Sequence, residues 1–211
     1  MCANASSRNP IRRPGRGIIL LASLALLGSC ATRQSLDLPE LGDWESRRYL
    51  LGRVEAWEFS GRIGVSAGDE GFNGKFNWSQ QGEAFDATVG GPLGMGTVRI
   101  AGDGRSVILT DKDGVETVLE DAELELRYRY GWTIPVDSLR YWALGIPDPD
   151  QPAVTEVDDN GHLVRLEQRD WIVEISRYRD GGGQQMPRIL SATNPDTRVR
   201  MVIDRWLFFG R

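Results

Sequence analysis

The middle of the chain alternates apolar and polar side chains over long stretches. In residues 57–65, for example, Trp57, Phe59, Ile63 and Val65 alternate with polar side chains or glycine. A period of two with one apolar face predicts strands that are covered on one side and exposed to solvent on the other. The expected strands are 57–65, 72–79, 85–89, 96–101, 106–110 and 115–119. Turn sequences containing glycine separate these runs, so the pattern predicts six antiparallel strands in a meander.

A second group of strand patterns lies nearer the carboxyl terminus. The expected strands are 153–157, 162–168, 171–178, 188–193 and 198–208. The Asp-Asp-Asn-Gly sequence at 158–161 is typical of a hairpin turn. A sheet of about eleven strands curls, and its concave apolar face must be closed by helices or left as a cavity. The expected fold class is therefore mainly β, and the seven tryptophans fit a wide apolar interior.

Three short helices interrupt the strands. The first is expected from Pro39 to about Ala56, because Pro39 suits a first helical turn and acidic residues follow it. The second is expected from Asp121, as its cap, to about residue 130, with Gly131 ending it. The third lies within residues 134–147, with a glycine stop and a proline beyond.

One turn carries unusual side chains. Gly90-Gly91-Pro92-Leu93-Gly94-Met95 cannot continue a strand, yet its tip holds two large apolar residues, Leu93 and Met95. The residues alone leave two possibilities open. These side chains either fold back onto the core or protrude into solvent.

The amino terminus has the parts of a secretory signal. Four arginines and no acidic residue precede an apolar run at 18–27. The run leads into the sequence Leu27-Gly28-Ser29-Cys30. The run is about half the ~20 residues that a spanning helix needs. The last four residues resemble the lipobox of bacterial lipoproteins, which implies cleavage before Cys30 and acylation of its thiol and amino group. The alternative is a cysteine that happens to lie in an ordinary signal peptide.

This interpretation divides the chain into three parts. Residues 1–29 are the signal peptide that is removed, 30–38 the lipidated Cys30 with a flexible tether, and 39–211 a single domain. Ala31 follows the cysteine. In bacterial lipoproteins an aspartate there commonly retains the protein at the inner membrane, so the resemblance implies the outer membrane.

The net charge and the cysteine content of the chain argue against nucleic-acid binding and against a disulfide. Without residues 1–29 the chain keeps 21 basic and 30 acidic side chains, a net charge of −9. This balance argues against binding nucleic acid, whose phosphates need a basic surface. Cys2 leaves with the signal and Cys30 is used for lipid, so the domain contains no disulfide.

The sequence offers no pattern of an enzyme. The one histidine, His162, lies at an expected hairpin and is interpreted as a surface turn residue. The chain has no G-x-S-x-G, H-E-x-x-H or Walker glycine loop and no cysteine cluster. We therefore expect neither catalysis nor a metal or nucleotide cofactor.

Several motifs together resemble the LolB family of outer-membrane lipoprotein receptors. They are Phe76-Asn77-Trp78-Ser79-Gln80, Pro92-Leu93-Gly94, Ile134-Pro135-Val136-Asp137-Ser138-Leu139-Arg140-Tyr141-Trp142, Leu144-Gly145-Ile146-Pro147, Met186-Pro187 and Asp204-Arg205-Trp206. The resemblance implies an unclosed β-barrel with a helical lid and an apolar cavity. It further implies a monomer that faces the periplasm, accepts triacylated lipoproteins from the soluble carrier LolA and places them in outer-membrane lipid, without a nucleotide.

The resemblance also implies site residues. The membrane-insertion loop is Pro92, Leu93, Gly94 and Met95, and the leucine needed for delivery corresponds to Leu93. The hypothesis for the wall of the acyl-chain cavity is Phe59, Ile63, Phe76, Trp78, Leu139 and Trp142. The alternative function is a passive envelope lipoprotein whose β-domain is packed solid and binds a protein partner.

Overall fold

The structure is a computed structural model of the chain, and it describes residues 34–91, 96–131 and 133–210. The strands are β1 (Ser35–Leu36), β2 (Ala56–Ala67), β3 (Glu70–Gln81), β4 (Ala84–Gly90), β5 (Thr97–Gly102), β6 (Val107–Thr110), β7 (Glu116–Leu119), β8 (Val154–Val157), β9 (Leu163–Gln168), β10 (Trp171–Asp180), β11 (Gln185–Thr193) and β12 (Arg198–Phe209). The helices are α1 (Trp44–Leu51), α2 (Ala122–Tyr130) and α3 (Val136–Leu144).

All twelve strands belong to one antiparallel sheet. Its order is β7-β6-β5-β4-β3-β2-β12-β11-β10-β9-β8, with β1 paired to β12 beside this path. The meander from β2 to β7 is confirmed, and β12 joins it to a second run of neighbours from β8 to β11. The two edge strands, β7 and β8, do not pair within the described ranges, so the barrel is unclosed.

The extra strand and a shorter first helix are the main differences from the sequence expectation. β1 falls in the segment expected to be a tether, and α1 begins only at Trp44 with Asp43 as its cap. The segment before α1 runs along the β10–β11 loop instead. There the Leu38 amide donates to the Gly182 carbonyl at 2.7 Å and Gln184 donates to the Pro39 carbonyl at 2.8 Å. Backbone pairing to a distant loop leaves no side-chain pattern for a sequence to show.

The helix ends at α2 and α3 match the expectation. The Asp121 carboxylate accepts a hydrogen bond from the Leu124 amide at 2.9 Å. Gly131 and Gly145 adopt left-handed φ values of 74° and 78° at the two carboxyl ends. Only glycine takes this conformation without strain, so both residues end their helices where the sequence predicts.

The half of the sheet from β8 to β12 is packed solid beneath α3. Its inward side chains are excluded from solvent: Leu163, Leu166, Val173, Met186, Leu190, Ala192, Val199 and Met201. A buried glutamine fixes α3 to this half, since Gln168 Oε1 accepts from Trp142 Nε1 at 2.8 Å and from the Asp148 amide at 3.0 Å. The Ser138 hydroxyl donates to the Asp148 carboxylate at 2.7 Å. The motif that includes Ser138 and Trp142 thus holds the helix in place.

His162 corrects one expectation. It does lie at the β8–β9 hairpin, but its side chain is only 13% exposed and stacks on Tyr178 with ring centroids 4.4 Å apart. Its Nδ1 lies 3.3 Å from the Asp158 carboxylate. Burial acts to raise the pKa of Asp158, but the hydrogen bonds from the His162 and Asn160 amides, together with the interaction with the His162 ring, lower it overall. His162 is a packed part of the turn rather than a surface residue.

Candidate functional site

The half of the sheet from β2 to β7 is hollow. A cavity of about 480 Å³, which we call the half-barrel cavity, lies over its concave face. Several apolar side chains on this face are therefore only partly buried, although they point inward: Phe72, Phe85, Val89, Val98 and Ile100. The volume falls within the range of ligand pockets in proteins.

The walls of the half-barrel cavity come from the sheet and from the helical segment above it. The sheet contributes mainly aliphatic and aromatic side chains from β2 to β5. The helical segment contributes Leu126, Ile134, Val136 and Leu139. A cavity with such walls offers few hydrogen-bond partners to water, which favours an apolar occupant.

The placement of α3 explains why this half stays empty. Trp142 and Ser138 tie the helix to the packed half, so it presents only Val136 and Leu139 to the cavity. Above the hollow half, α2 buries Leu126 and is held at its flanks by exposed ion pairs. Arg127 lies 3.6 Å from Asp196, and Arg169 and Glu123 are 2.8 Å apart. Exposed pairs of this kind are weak, so α2 is the less firmly held side of the enclosure.

One end of the half-barrel cavity is closed by aromatic rings. The rings of Trp78 and Phe85 stack with centroids 5.1 Å apart, and Phe76 meets Trp78 edge-on at 6.2 Å. Trp78 Nε1 donates to Gln80 Oε1 at 2.9 Å, and Gln80 donates onward to the Gly82 carbonyl. Because the indole N–H is bonded to Gln80, which does not line the cavity, the ring presents its apolar surface to the cavity. We call the residues Trp78, Phe85, Ala87 and Ile100 the closed end.

The opposite end of the cavity is polar. The residues there are Asn73, Asp111, Lys112 and Asp113, which we call the polar rim. Lys112 Nζ lies 2.6 Å from the Asp113 carboxylate. The amides of Val115 and Asp113 donate to the Asp111 carboxylate at 3.0 and 2.9 Å, which lowers the pKa of Asp111.

The polar rim adjoins the base of the glycine-rich turn. The Gly91 amide donates to the Gly96 carbonyl at 3.0 Å, and both glycines line the cavity. Gly96 has a left-handed φ of 78°, and a Cβ at that position would lie 2.6 Å from Lys112 Cβ. The β6–β7 hairpin therefore packs directly against the base of this turn.

Four of the six residues expected in the cavity wall do line it: Ile63, Phe76, Trp78 and Leu139. The other two, Phe59 and Trp142, are not among the residues that border this cavity. Phe59 is buried in a ring cluster with Trp57 and Trp206, whose centroids lie 6.0 and 5.1 Å from its own. Trp142 is fully buried against Trp171 and bonded to Gln168. Phe59 also contacts Phe76, with ring centroids 5.3 Å apart, so it packs behind that wall residue, whereas Trp142 faces the packed half of the domain.

The remaining expected site residues lie outside the described ranges. These are Cys30 and the loop residues Pro92, Leu93, Gly94 and Met95. The sequence interpretation also missed part of the wall, namely Phe72, Phe85, Val89, Val98, Ile100, Leu126, Ile134 and Val136, together with the polar rim. The apolar alternation places the strand residues among them on the inward face of the sheet, and the Asp-Lys-Asp-Gly sequence predicts the turn that carries most of the polar rim. Alternation does not show, however, which inward residues border an empty space.

A wider depression of about 850 Å³ lies elsewhere, between α1 and the segment that follows α3. Its lining includes Glu45, Arg48 and Arg53, all of them exposed. Because charged, solvent-facing side chains form its border, it is a surface groove. The half-barrel cavity is the better candidate for holding an apolar ligand.

Two further observations concern membranes and metals. Among residues 34–91, 96–131 and 133–210, no helix combines the length and the apolar character that crossing a membrane requires. Within the same ranges, no three histidine, cysteine, aspartate or glutamate side chains gather as a metal site would need.

Comparison with known proteins agrees with the motifs in the sequence. Residues 55–206, more than half of the chain, match the family model described as outer membrane lipoprotein LolB. The chain is 34% identical over 191 residues to the outer-membrane lipoprotein LolB of Nitrosococcus oceani, covering 89% of this chain and 95% of that protein. It is 32% identical over 195 residues to the protein of the same name from Pseudomonas aeruginosa, covering 90% and 95%.

Solved structures with a similar fold share little sequence with this chain. A DUF1329 family protein from Desulfovibrio piger superposes with a TM-score of 0.51 at 7% identity, covering 77% of this chain and 89% of that one. A LolA superfamily protein from Nitrosomonas europaea gives a TM-score of 0.49 at 8% identity, covering 80% and 94%. At these identities the first likeness concerns the fold alone.

Proposed function

Since the chain belongs to the LolB family of outer-membrane lipoproteins, we propose that it accepts lipoproteins by binding their acyl chains in the half-barrel cavity. It receives them from the periplasmic carrier LolA and releases them into the outer membrane. The observation that carries this proposal is the hollow half of the domain, where apolar side chains from four strands and two helices face a space they do not fill.

The energetics explain what such a cavity contributes. Each CH₂ group removed from water is favourable by about 0.8 kcal/mol. Three acyl chains carry roughly forty such groups. On that scale, moving a triacylated lipoprotein from lipid into water costs about 30 kcal/mol of free energy. A cavity with aromatic and aliphatic walls offsets part of this cost while the cargo is away from lipid.

Release requires that the cavity does not bind too tightly. Direct transfer from one apolar cavity to another keeps the chains out of water at every stage and needs only a shallow gradient of affinity. The weak ion pairs at the flanks of α2 suit a lid that moves at low energetic cost. No nucleotide is required for such a gradient.

The proposal includes two contacts with the membrane. Acyl chains on Cys30 hold the protein at the periplasmic face of the outer membrane, and the side chains of Leu93 and Met95 touch lipid during delivery. One leucine contributes only about 1.5–3 kcal/mol when buried, which permits reversible contact. The position of Gly91 and Gly96 at the polar rim supports this role, because it places the base of the loop at one end of the cavity.

Uptake of a fluorescent fatty-acid probe and its displacement by a triacylated lipopeptide tests the proposal. The native chain should bind the probe and release it on titration with the lipopeptide. Ala87→Phe places a ring in the cavity and should weaken probe binding strongly. Thr88→Phe is the matched control, because successive residues of a strand point to opposite faces and this ring would lie outside.

The alternative function, a packed domain that binds a protein partner, makes the opposite prediction. It requires no uptake by the native chain and no difference between the two phenylalanine variants. Either result would overturn the proposed acceptor role. A fall in probe affinity for Ala87→Phe alone would support it.

A further inference from the structure

The two ends of the half-barrel cavity differ in polarity, as the register of the strands shows. Trp78, Ala87 and Ile100 are successive Cα partners across β3, β4 and β5, so three of the four residues of the closed end form one row across the sheet. Gly90 pairs with both Lys75 and Thr97 in a row near the other end of the same strands. All four residues of the polar rim lie beyond or beside that second row. Polar groups thus gather at a single end of an otherwise apolar space.

The polar end is also the end that reaches solvent. The side chains of Lys112 and Asp113 are each 66% exposed, whereas Trp78 and Ala87 at the closed end are 3% and 5% exposed. An amphiphile entering such a space buries its apolar tail first. Its polar head then stops where water and polar side chains begin.

The charges of the polar rim limit which head fits. Lys112 supplies one ammonium donor, and Asp111 and Asp113 supply two carboxylates, so the rim carries a net charge of −1. The Asp111 carboxylate already accepts two backbone amides, which leaves Lys112 and Asp113 as the charged groups that can meet a ligand, with Asn73 as a neutral one. Their own pair is solvent-exposed and therefore weak, so a ligand can replace it at little cost.

From these observations we infer that the polar rim is the head-group site of the cavity, and that acyl chains lie with their terminal methyl groups toward Trp78. The head that fits is an amide- or ester-linked one. Its carbonyl oxygens accept hydrogen bonds from Lys112, and its amide N–H donates to Asp113. A free carboxylate or a phosphate is disfavoured by the net negative charge. The inference rests on the proposed function, because it names the orientation and head chemistry of the same ligand.

The chain supplies an internal control for the charge at the rim. It contains only two lysines, Lys75 and Lys112. Lys75 is exposed, follows the inward-facing Gly74 on β3 and is not part of the cavity lining. Lys112→Ala should therefore weaken binding of an amide-headed acyl ligand by a factor of about three to ten, the range for losing one ordinary hydrogen bond, because Lys112 is exposed to solvent. Lys75→Ala should leave it unchanged.

Paramagnetic broadening of NMR signals tests the orientation directly. The probes are two N-acylated peptide amides, with a nitroxide either near the terminal methyl group or next to the amide head. The methyl-end nitroxide should broaden the indole N–H of Trp78 most. The head-end nitroxide should broaden the amides of Gly96 and Gly114 most. A carboxylate-headed probe of equal chain length should bind more weakly than either amide.

The outcomes separate this inference from the function on which it rests. A reversed broadening pattern, or tighter binding of the carboxylate probe, would overturn the head-group site while leaving acyl binding in place. Broadening that spares the cavity residues altogether would overturn the proposed function as well. Equal losses of affinity for the amide-headed ligand in Lys112→Ala and Lys75→Ala would show that Lys112 does not bind the head group.

Discussion

The ring of Phe85 lies directly on Gly102, its Cα partner in the pairing of β4 with β5. A Cβ at position 102 would overlap Cε1 of that ring. The opposite side of the ring stacks on Trp78. The glycine therefore leaves the Phe85 ring its position at the closed end, and the aromatic ring covers backbone that has no side chain of its own.

A methyl group at this glycine should change the cavity. Gly102→Ala pushes the Phe85 ring toward the half-barrel cavity, so the affinity for a fluorescent fatty-acid probe should fall severalfold. Gly64→Ala is the control, because the nearest atom to its added Cβ lies 3.9 Å away, an ordinary contact. Probe titrations of the two variants give the comparison. Equal affinities would mean that Phe85 does not border the bound chain.

The buried glutamine beneath α3 should matter for stability. Gln168 accepts from Trp142 and the Asp148 amide and donates to the carbonyls of Asp148 and Gln151. Gln168→Ala leaves these buried groups without partners and should lower the free energy of unfolding by about 3 kcal/mol. Urea unfolding measures this, with the exposed neighbour Glu167→Ala as control. A loss as small as that of the control would show that α3 is held by apolar contacts alone.

Alkaline pH should weaken the domain through one tyrosine. Burial raises the pKa of Tyr178, whose hydroxyl donates to the Leu163 carbonyl at 2.8 Å. The unfolded chain ionises tyrosine near pH 10, whereas the folded chain keeps this proton. Below about pH 10 the contribution of Tyr178 to stability therefore does not change with pH. Above about pH 10 the free energy of unfolding should fall by up to about 1.4 kcal/mol per pH unit through this group.

Tyr178→Phe separates this effect from general alkaline unfolding. The variant loses one hydrogen bond at neutral pH but should show a shallower decline between pH 10 and 12. The exposed Tyr49→Phe should keep the native decline. Unfolding curves at several pH values measure both slopes. Identical slopes in all three proteins would contradict the role of Tyr178.

The loop tip should matter for delivery but not for uptake. Leu93→Glu should leave probe affinity unchanged and prevent transfer of a bound lipoprotein to liposomes, because a charged side chain at that tip opposes contact with lipid. Val118→Glu is a matched change at an apolar residue that is 64% exposed. A liposome flotation assay reports delivery. Normal delivery by Leu93→Glu would exclude a membrane role for this side chain.

The sequence predicted most of the architecture because its signals were local. The alternation of apolar and polar residues predicted the meander and the later strands. Glycines predicted the ends of α2 and α3, and the combined motifs predicted the family. β1 escaped prediction because two residues held by backbone pairing carry no pattern. The early start expected for the first helix was wrong because the carbonyl of Pro39 accepts a hydrogen bond from Gln184 in the β10–β11 loop instead.

The candidate site was predicted less completely for a physical reason. Alternation identifies the inward face of a strand but not the half of the sheet that a helix later fills. Trp142 looks like a wall residue by its size, yet its bond to Gln168 draws it into the packed half. Phe85 and Val98 lie on the hollow side only because α3 is fixed elsewhere.

Photo-crosslinking inside the cavity is the most direct test of the central claim. Benzoylphenylalanine replaces Val98, which faces the half-barrel cavity, or its neighbour Arg99, which faces outward and pairs with Asp86. After irradiation with a triacylated lipoprotein delivered by LolA, the account predicts an adduct through an acyl chain at position 98 and none at position 99. Adducts only at position 99, or none at position 98 while the lipoprotein is still transferred, would contradict it.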